Sequence, residues 1–144
     1  MALLSRTQII GGFVAGALSV LVFHQGVVFV ANQAGLGGPP AYSMAPTEPF
    51  GVPQVLSWAF WGGLWGIAWA MLAARLKGGG GLGFAFLFGA IVPPLVVAAV
   101  VFPLKGLDPK IFMDPKILVF LLAIHGVWGF GTEVFLRLGR GRVW

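Results

Sequence analysis

The sequence predicts an all-α integral membrane protein. Its expected form is a bundle of four transmembrane helices, made of two tandemly duplicated hairpins with both termini in the cytoplasm. Three observations predict it. The 144 residues are 58% hydrophobic and 9% charged, with a mean hydropathy of +0.95, whereas a soluble domain carries about 25% charged residues. The charges cluster, leaving empty runs between Arg6 and Glu48, Glu48 and Arg75, Lys77 and Lys105, and Lys116 and Glu133. A similar Gly- and Trp-rich segment also recurs in each half of the chain.

So little charge cannot cover a water-facing surface, which excludes a soluble enzyme or a disordered segment. The net charge is +5, from 9 Lys and Arg against 4 Asp and Glu. No basic stripe lies on an otherwise polar face, so no nucleic-acid partner is expected. Cysteine is absent, which removes disulfides, thiolate metal sites and thiol catalysis.

A spanning helix needs roughly 20 mostly apolar residues. The empty runs place helices at about 8–31, 54–75, 82–102 and 116–138. Lipid offers the backbone no hydrogen-bond partner, so these spans are helical. The first run exceeds the roughly 7–15 residues of a signal-peptide core and reads as a span. The outer loop, 32–53, carries Pro39, Pro40, Pro46, Pro49 and Pro53, which favour an extended course. The inner connection holds Gly78 to Gly81 and reads as a flexible linker, not as a phosphate loop.

Arg6, Arg75, Lys77, Arg137, Arg140 and Arg142 fall on one side of the spans. Lys105, Lys110 and Lys116 fall on the other, with Glu48, Asp108 and Asp114. The excess of Lys and Arg puts both termini inside, and the expected location is the bacterial cytoplasmic membrane.

The duplication is read from Gly62-Gly63-Leu64-Trp65-Gly66, which aligns with His125-Gly126-Val127-Trp128-Gly129. Gly12-Phe13 and Gly35-Leu36 align with Gly83-Phe84 and Gly106-Leu107, which sets His24 against Leu95. Two hairpins pointing the same way should be related by an axis along the membrane normal.

Few residues could carry chemistry. His24 and His125 both sit roughly 10–14 Å below the outer boundary, so they could face each other. As intramembrane polar groups they read as a proton or ligand site, as the two axial ligands of haem b, or as interhelical packing with Gln25 as a ready partner. Glu133 is the one acid within a span. It lies about 12 Å along the helix from His125, and Arg137 follows at the favourable i+4 position for an ion pair.

Trp58, Trp61, Trp65 and Trp69, spaced 3, 4 and 4, form a stripe down the second span. With Trp128 they read as core packing or as an aromatic slot for a lipid, quinone or pigment. Gly12, Gly16, Gly62 and Gly66 form small-residue tracks that let helices approach closely. Pro93-Pro94, midway through the third span, should kink it. Two acids in the outer Asp-Pro-Lys repeats at Asp108 and Asp114 are too few for calcium.

The second half has one further feature. Phe102-Pro103-Leu104, Gly106-Leu107, Pro109 and Phe112 lead into a helix with His125, Trp128, Glu133 and Arg137 in one register. Residues 82–138 thereby resemble the YagU-like family of bacterial inner-membrane proteins. The resemblance implies an inner-membrane location and draws attention to His125 and Glu133, but implies no reaction.

The function expected is that of a non-enzymatic membrane protein without a cofactor. It would self-associate as a homo-oligomer or accompany a larger membrane complex within the lipid bilayer. A small oligomeric proton-linked transporter or channel is the alternative, and a haem- or quinone-binding redox module is the third.

Overall fold

The computed structural model describes residues 5–76 and 81–143, with side chains as far as Gly139. Lys77 and Gly78 to Gly80, assigned above to the inner side, lie outside the described residues, as do the side chains of Arg140 and Arg142. The chain is 77% helical, and four helices are long and apolar enough to cross a membrane.

Helix α1 runs Arg6–Gln33. It begins in a capping box, in which the Ser5 hydroxyl accepts from the Gln8 amide and the Gln8 side chain accepts from the Ser5 amide. It ends in a Schellman motif. Gly35, at φ +70°, donates to the Asn32 carbonyl, and Leu36 donates to that of Ala31. These two ends carry the helix past the 8–31 expected from hydropathy. Within it, Val20–His24 is a π turn.

The outer loop folds back on itself. Pro46–Thr47 (β1) pairs antiparallel with Val52–Pro53 (β2), a short ladder that the prolines did not announce. Helix α2 follows at Gln54–Ala73, directly after Pro53, whose fixed φ ends the strand.

Helix α3 runs Leu82–Leu104. Pro93 and Pro94 sit inside its first α-helical stretch, which continues to Val96. The departure from α pattern comes later, as a π turn at Val97–Val101 just before Pro103. Pro103 has no N–H to return to the Ala99 carbonyl, and the widened turn accommodates that loss. A π turn thus lies nearer the outer end than the paired prolines, which sit within α-helix. Helix α3 closes in the same Schellman motif as α1, with Gly106 at φ +66° donating to Pro103 and Leu107 donating to Phe102. A 3₁₀ turn, Pro109–Met113, leads to helix α4 at Pro115–Val143.

The packing is pairwise. Helix α1 lies along α2, α3 lies along α4, and the pairs meet mainly through α1 and α4. Glycine makes each crossing possible. A Cβ on Gly12 would lie 2.9 Å from the Gly66 carbonyl oxygen, and one on Gly66 would lie 2.8 Å from the Gly16 Cα. In the other hairpin a Cβ on Gly89 would lie 2.9 Å from the Gly129 Cα. In each pair a phenyl ring also covers a glycine, Phe13 over Gly63 and Phe86 over Gly126.

These contacts correct the register read from sequence. Gly16 corresponds to Gly89 and Phe13 to Phe86, so Gly12 corresponds to Ala85 and not to Gly83. By the same shift His24 falls opposite Val97, not Leu95. The helix ends still match, because nineteen positions separate Gly16 from Gly35 while seventeen separate Gly89 from Gly106. The outer half of α1 is two residues longer. The hairpins also depart from a two-fold arrangement. An axis along the normal would make α2–α3 equivalent to α1–α4, yet α2 and α3 touch little and are held apart by Trp65, Trp69 and Phe88.

Candidate functional site

The polar side chains of the bundle gather along the seam between α1 and α4. Toward the outer end, His24 and His125 meet edge to face, with ring centroids 5.5 Å apart. Trp58 of α2 packs against His24 at 5.6 Å. The hydrogen bonds assign the tautomers. Gln25 Oε1 accepts from the Tyr42 amide at 2.7 Å, which orients the side-chain amide so that Nε2 donates to His24 Nδ1 at 3.3 Å. His24 thus carries its proton on Nε2 when neutral. His125 Nδ1 lies 2.9 Å from the Leu121 carbonyl, which can only accept, so its proton sits on Nδ1. The Nε2 atoms remain as one donor and one acceptor.

Gln25 is fully buried and is the hub of this end. Besides the Gln25 contact, Tyr42 donates its hydroxyl to the Leu21 carbonyl at 2.9 Å, within the π turn. Asn32 orders the loop above, donating to the Gly37 and Pro39 carbonyls and accepting from the Ala41 amide at 2.9 Å. The outer loop is therefore fastened over the histidines by two amide side chains. Replacing Gln25 with leucine leaves the Tyr42 N–H and His24 Nδ1 without partners. We expect a loss of about 1–3 kcal/mol, read by thermal unfolding in detergent, with faster proteolysis of the loop.

Midway along the seam, the Ser19 hydroxyl donates to the Trp128 carbonyl at 2.6 Å, and the Thr132 hydroxyl donates to the same oxygen at 2.9 Å. The Trp128 indole donates to the Gly16 carbonyl at 3.0 Å. Gly131 lets the helices close here, because a Cβ on it would meet the Phe23 ring and the Ser19 hydroxyl.

Toward the inner end, Glu133 is fully buried. Its Oε2 accepts from the Trp69 indole of α2 at 2.9 Å, and its Oε1 accepts from Arg137 Nε at 2.8 Å. Arg137 is half exposed, so its head reaches outward while its Nε holds the carboxylate.

The tryptophans do not act as one group. Trp58 lies on His24, Trp69 on Glu133, and Phe88 of α3 contacts both Trp65 and Trp69, at 6.3 and 5.3 Å between centroids. Trp61 is 57% exposed and stands apart. Three residues advance a helix by about 300°, so it points roughly 60° away from Trp58, onto the outer face. Trp61→Ala is accordingly expected to change stability by no more than about 0.5 kcal/mol.

No protein family, curated protein or solved structure matches the chain. The geometry therefore carries the reading alone.

A haem between the histidines does not fit this geometry. The rings are in direct contact, so no macrocycle passes between them. Among the described residues no cluster of three metal-ligating side chains exists. The sequence placed the two histidines at one depth and set Gln25 beside His24. It did not reveal Tyr42, Asn32, Ser19 or Thr132. Their one signal was polarity inside or just beyond an apolar run, and the partners lie 5 to 109 positions away or on the same helix.

Proposed function

We propose that the chain is a multi-pass protein of the bacterial cytoplasmic membrane, with both termini inside, that works without catalysis as a self-associating or accessory subunit of a membrane assembly. One observation carries the reading. Among the described residues, every fully buried side-chain nitrogen and oxygen has a partner within the chain. Ser19, Gln25, Trp69, Trp128 and Glu133 use their polar atoms to join helices and the outer loop. The distribution of Lys and Arg supports the orientation. Matching helix ends and matching glycine crossings support a duplicated hairpin.

The surface offered to partners is the outer face of α3. Its apolar window is only 28% buried, and Phe84, Leu87, Ile91 and Leu95 are exposed along it at spacings of 3, 4 and 4. The chain has no cysteine of its own, so single cysteines can probe this face. Leu87→Cys and Ile91→Cys are expected to form disulfide-linked dimers in native membranes, while Val14→Cys on α1 is not. Equal crosslinking from both faces, or none together with no co-purifying partner, contradicts the reading.

The order of polar groups along the seam favours one second reading, a proton-linked transporter or channel. Tyr42, Gln25, His24, His125, Ser19, Thr132, Glu133 and Arg137 follow one another from the outer loop to the inner end. Under that reading, proteoliposomes show pH-driven flux that Glu133→Gln abolishes. Absence of flux in the unaltered protein removes it.

A further inference from the structure

A second feature lies on the opposite flank of the same two helices. An apolar groove of about 240 Å³ opens sideways between the inner halves of α1 and α4. Ile10, Val14 and Leu18 line it from α1, and Phe135, Leu136 and Gly139 line it from α4. Arg6, Ile10, Val14 and Leu18 are spaced by four, so they share one helix face, and all are exposed. A cation thus stands at the inner end of an apolar channel, one turn from its mouth.

We propose that this groove binds an anionic phospholipid, with one acyl chain in the channel and the headgroup against Arg6. The lining argues for a hydrocarbon chain, because every side chain facing the groove is apolar and the groove opens to one side. Charge argues for an anionic head and against a second copy. The inner end of this flank carries Arg6, on the same face of α1 as Ile10, Val14 and Leu18. The acid on this part of the seam, Glu133, is buried and already paired with Arg137. Another copy docking here would bring like charge to like charge, whereas a phosphate neutralises it.

The inference rests on the membrane reading above. Its test is native mass spectrometry of the full chain, titrated in detergent with phosphatidylglycerol or phosphatidylcholine of identical acyl chains. The unaltered protein is expected to retain one phosphatidylglycerol in preference to phosphatidylcholine. Arg6→Gln is expected to lower that preference about fivefold, whereas Lys105→Gln, on the outer loop, leaves it unchanged. Val14→Trp, which fills the channel, is expected to lower retention of both lipids. Equal retention of the two lipids by the unaltered protein overturns the proposal, as does an Arg6→Gln loss no greater than that of Lys105→Gln. Release of the protein from vesicles by alkaline wash overturns the membrane reading and the lipid site together. Retention in vesicles without lipid preference overturns the lipid site alone.

Discussion

Replacing Glu133 with alanine is expected to destabilise the protein by about 2–4 kcal/mol, read as a shift in the unfolding transition in mixed micelles. Two effects add. The side chain is fully buried, so its removal leaves a cavity. The Trp69 indole, which donates to Oε2 at 2.9 Å, is also left without an acceptor in an apolar interior. Glu133→Gln separates them, because it preserves the volume and an oxygen for Trp69 while removing the charge that pairs with Arg137. Its cost should be about 1 kcal/mol, since Arg137 is half exposed and can turn to the interface. A double-mutant cycle between Trp69→Phe and Glu133→Ala measures the coupling between the two side chains. Interhelical hydrogen bonds in membranes average only about 0.6 kcal/mol, so a coupling near that value is expected here.

Gly16→Val should be more damaging still. The added Cβ would meet the Gly62 carbonyl and lie 2.9 Å from the Gly66 Cα. Both obstacles are backbone, so no rotamer change relieves them, and α1 and α2 must separate. The damage then spreads, because the Gly16 carbonyl is also the acceptor for the Trp128 indole. Moving α1 pulls on the seam to α4. Overpacking alone costs about 1–3 kcal/mol, and the linked losses should push this variant to about 3 kcal/mol or beyond. Gly26→Val is the control. A Cβ on Gly26 meets nothing within 4 Å, so its effect should stay within about 0.5 kcal/mol. Equal effects at the two glycines would show that helix propensity, not the crossing, sets the response.

The four long helices were legible as apolar runs between charges, but α1 and α3 run past the expected 31 and 102 to ends set by Gly35 and Gly106. The crossing glycines of the first hairpin were legible from four-residue spacing. Their counterparts in the second were less so, because Gly12 is replaced by Ala85 and a match to Gly83 looks equally good in one dimension. Only the contact of Gly89 with Gly129 fixes the register. Glu133 shows the same limit. Its partner on the same helix, Arg137, follows from helical spacing, but its partner on α2, Trp69, depends on how the pairs dock. The π turn in α1 has no sequence mark at all, since no proline or glycine lies within Val20–His24. Trp61 stands exposed while Trp69 is buried, a difference that depends on how the helices dock and not on spacing along α2.

The polar seam between α1 and α4 joins two separately packed hairpins. Its decisive test is co-expression of residues 1–79 and 80–144 as two chains, with a tag on one. The halves are expected to co-purify from membranes in equal amounts. Ser19→Ala combined with Glu133→Ala is expected to reduce recovery of the untagged half sharply. Halves that fail to associate, or that associate equally well without these two side chains, contradict it.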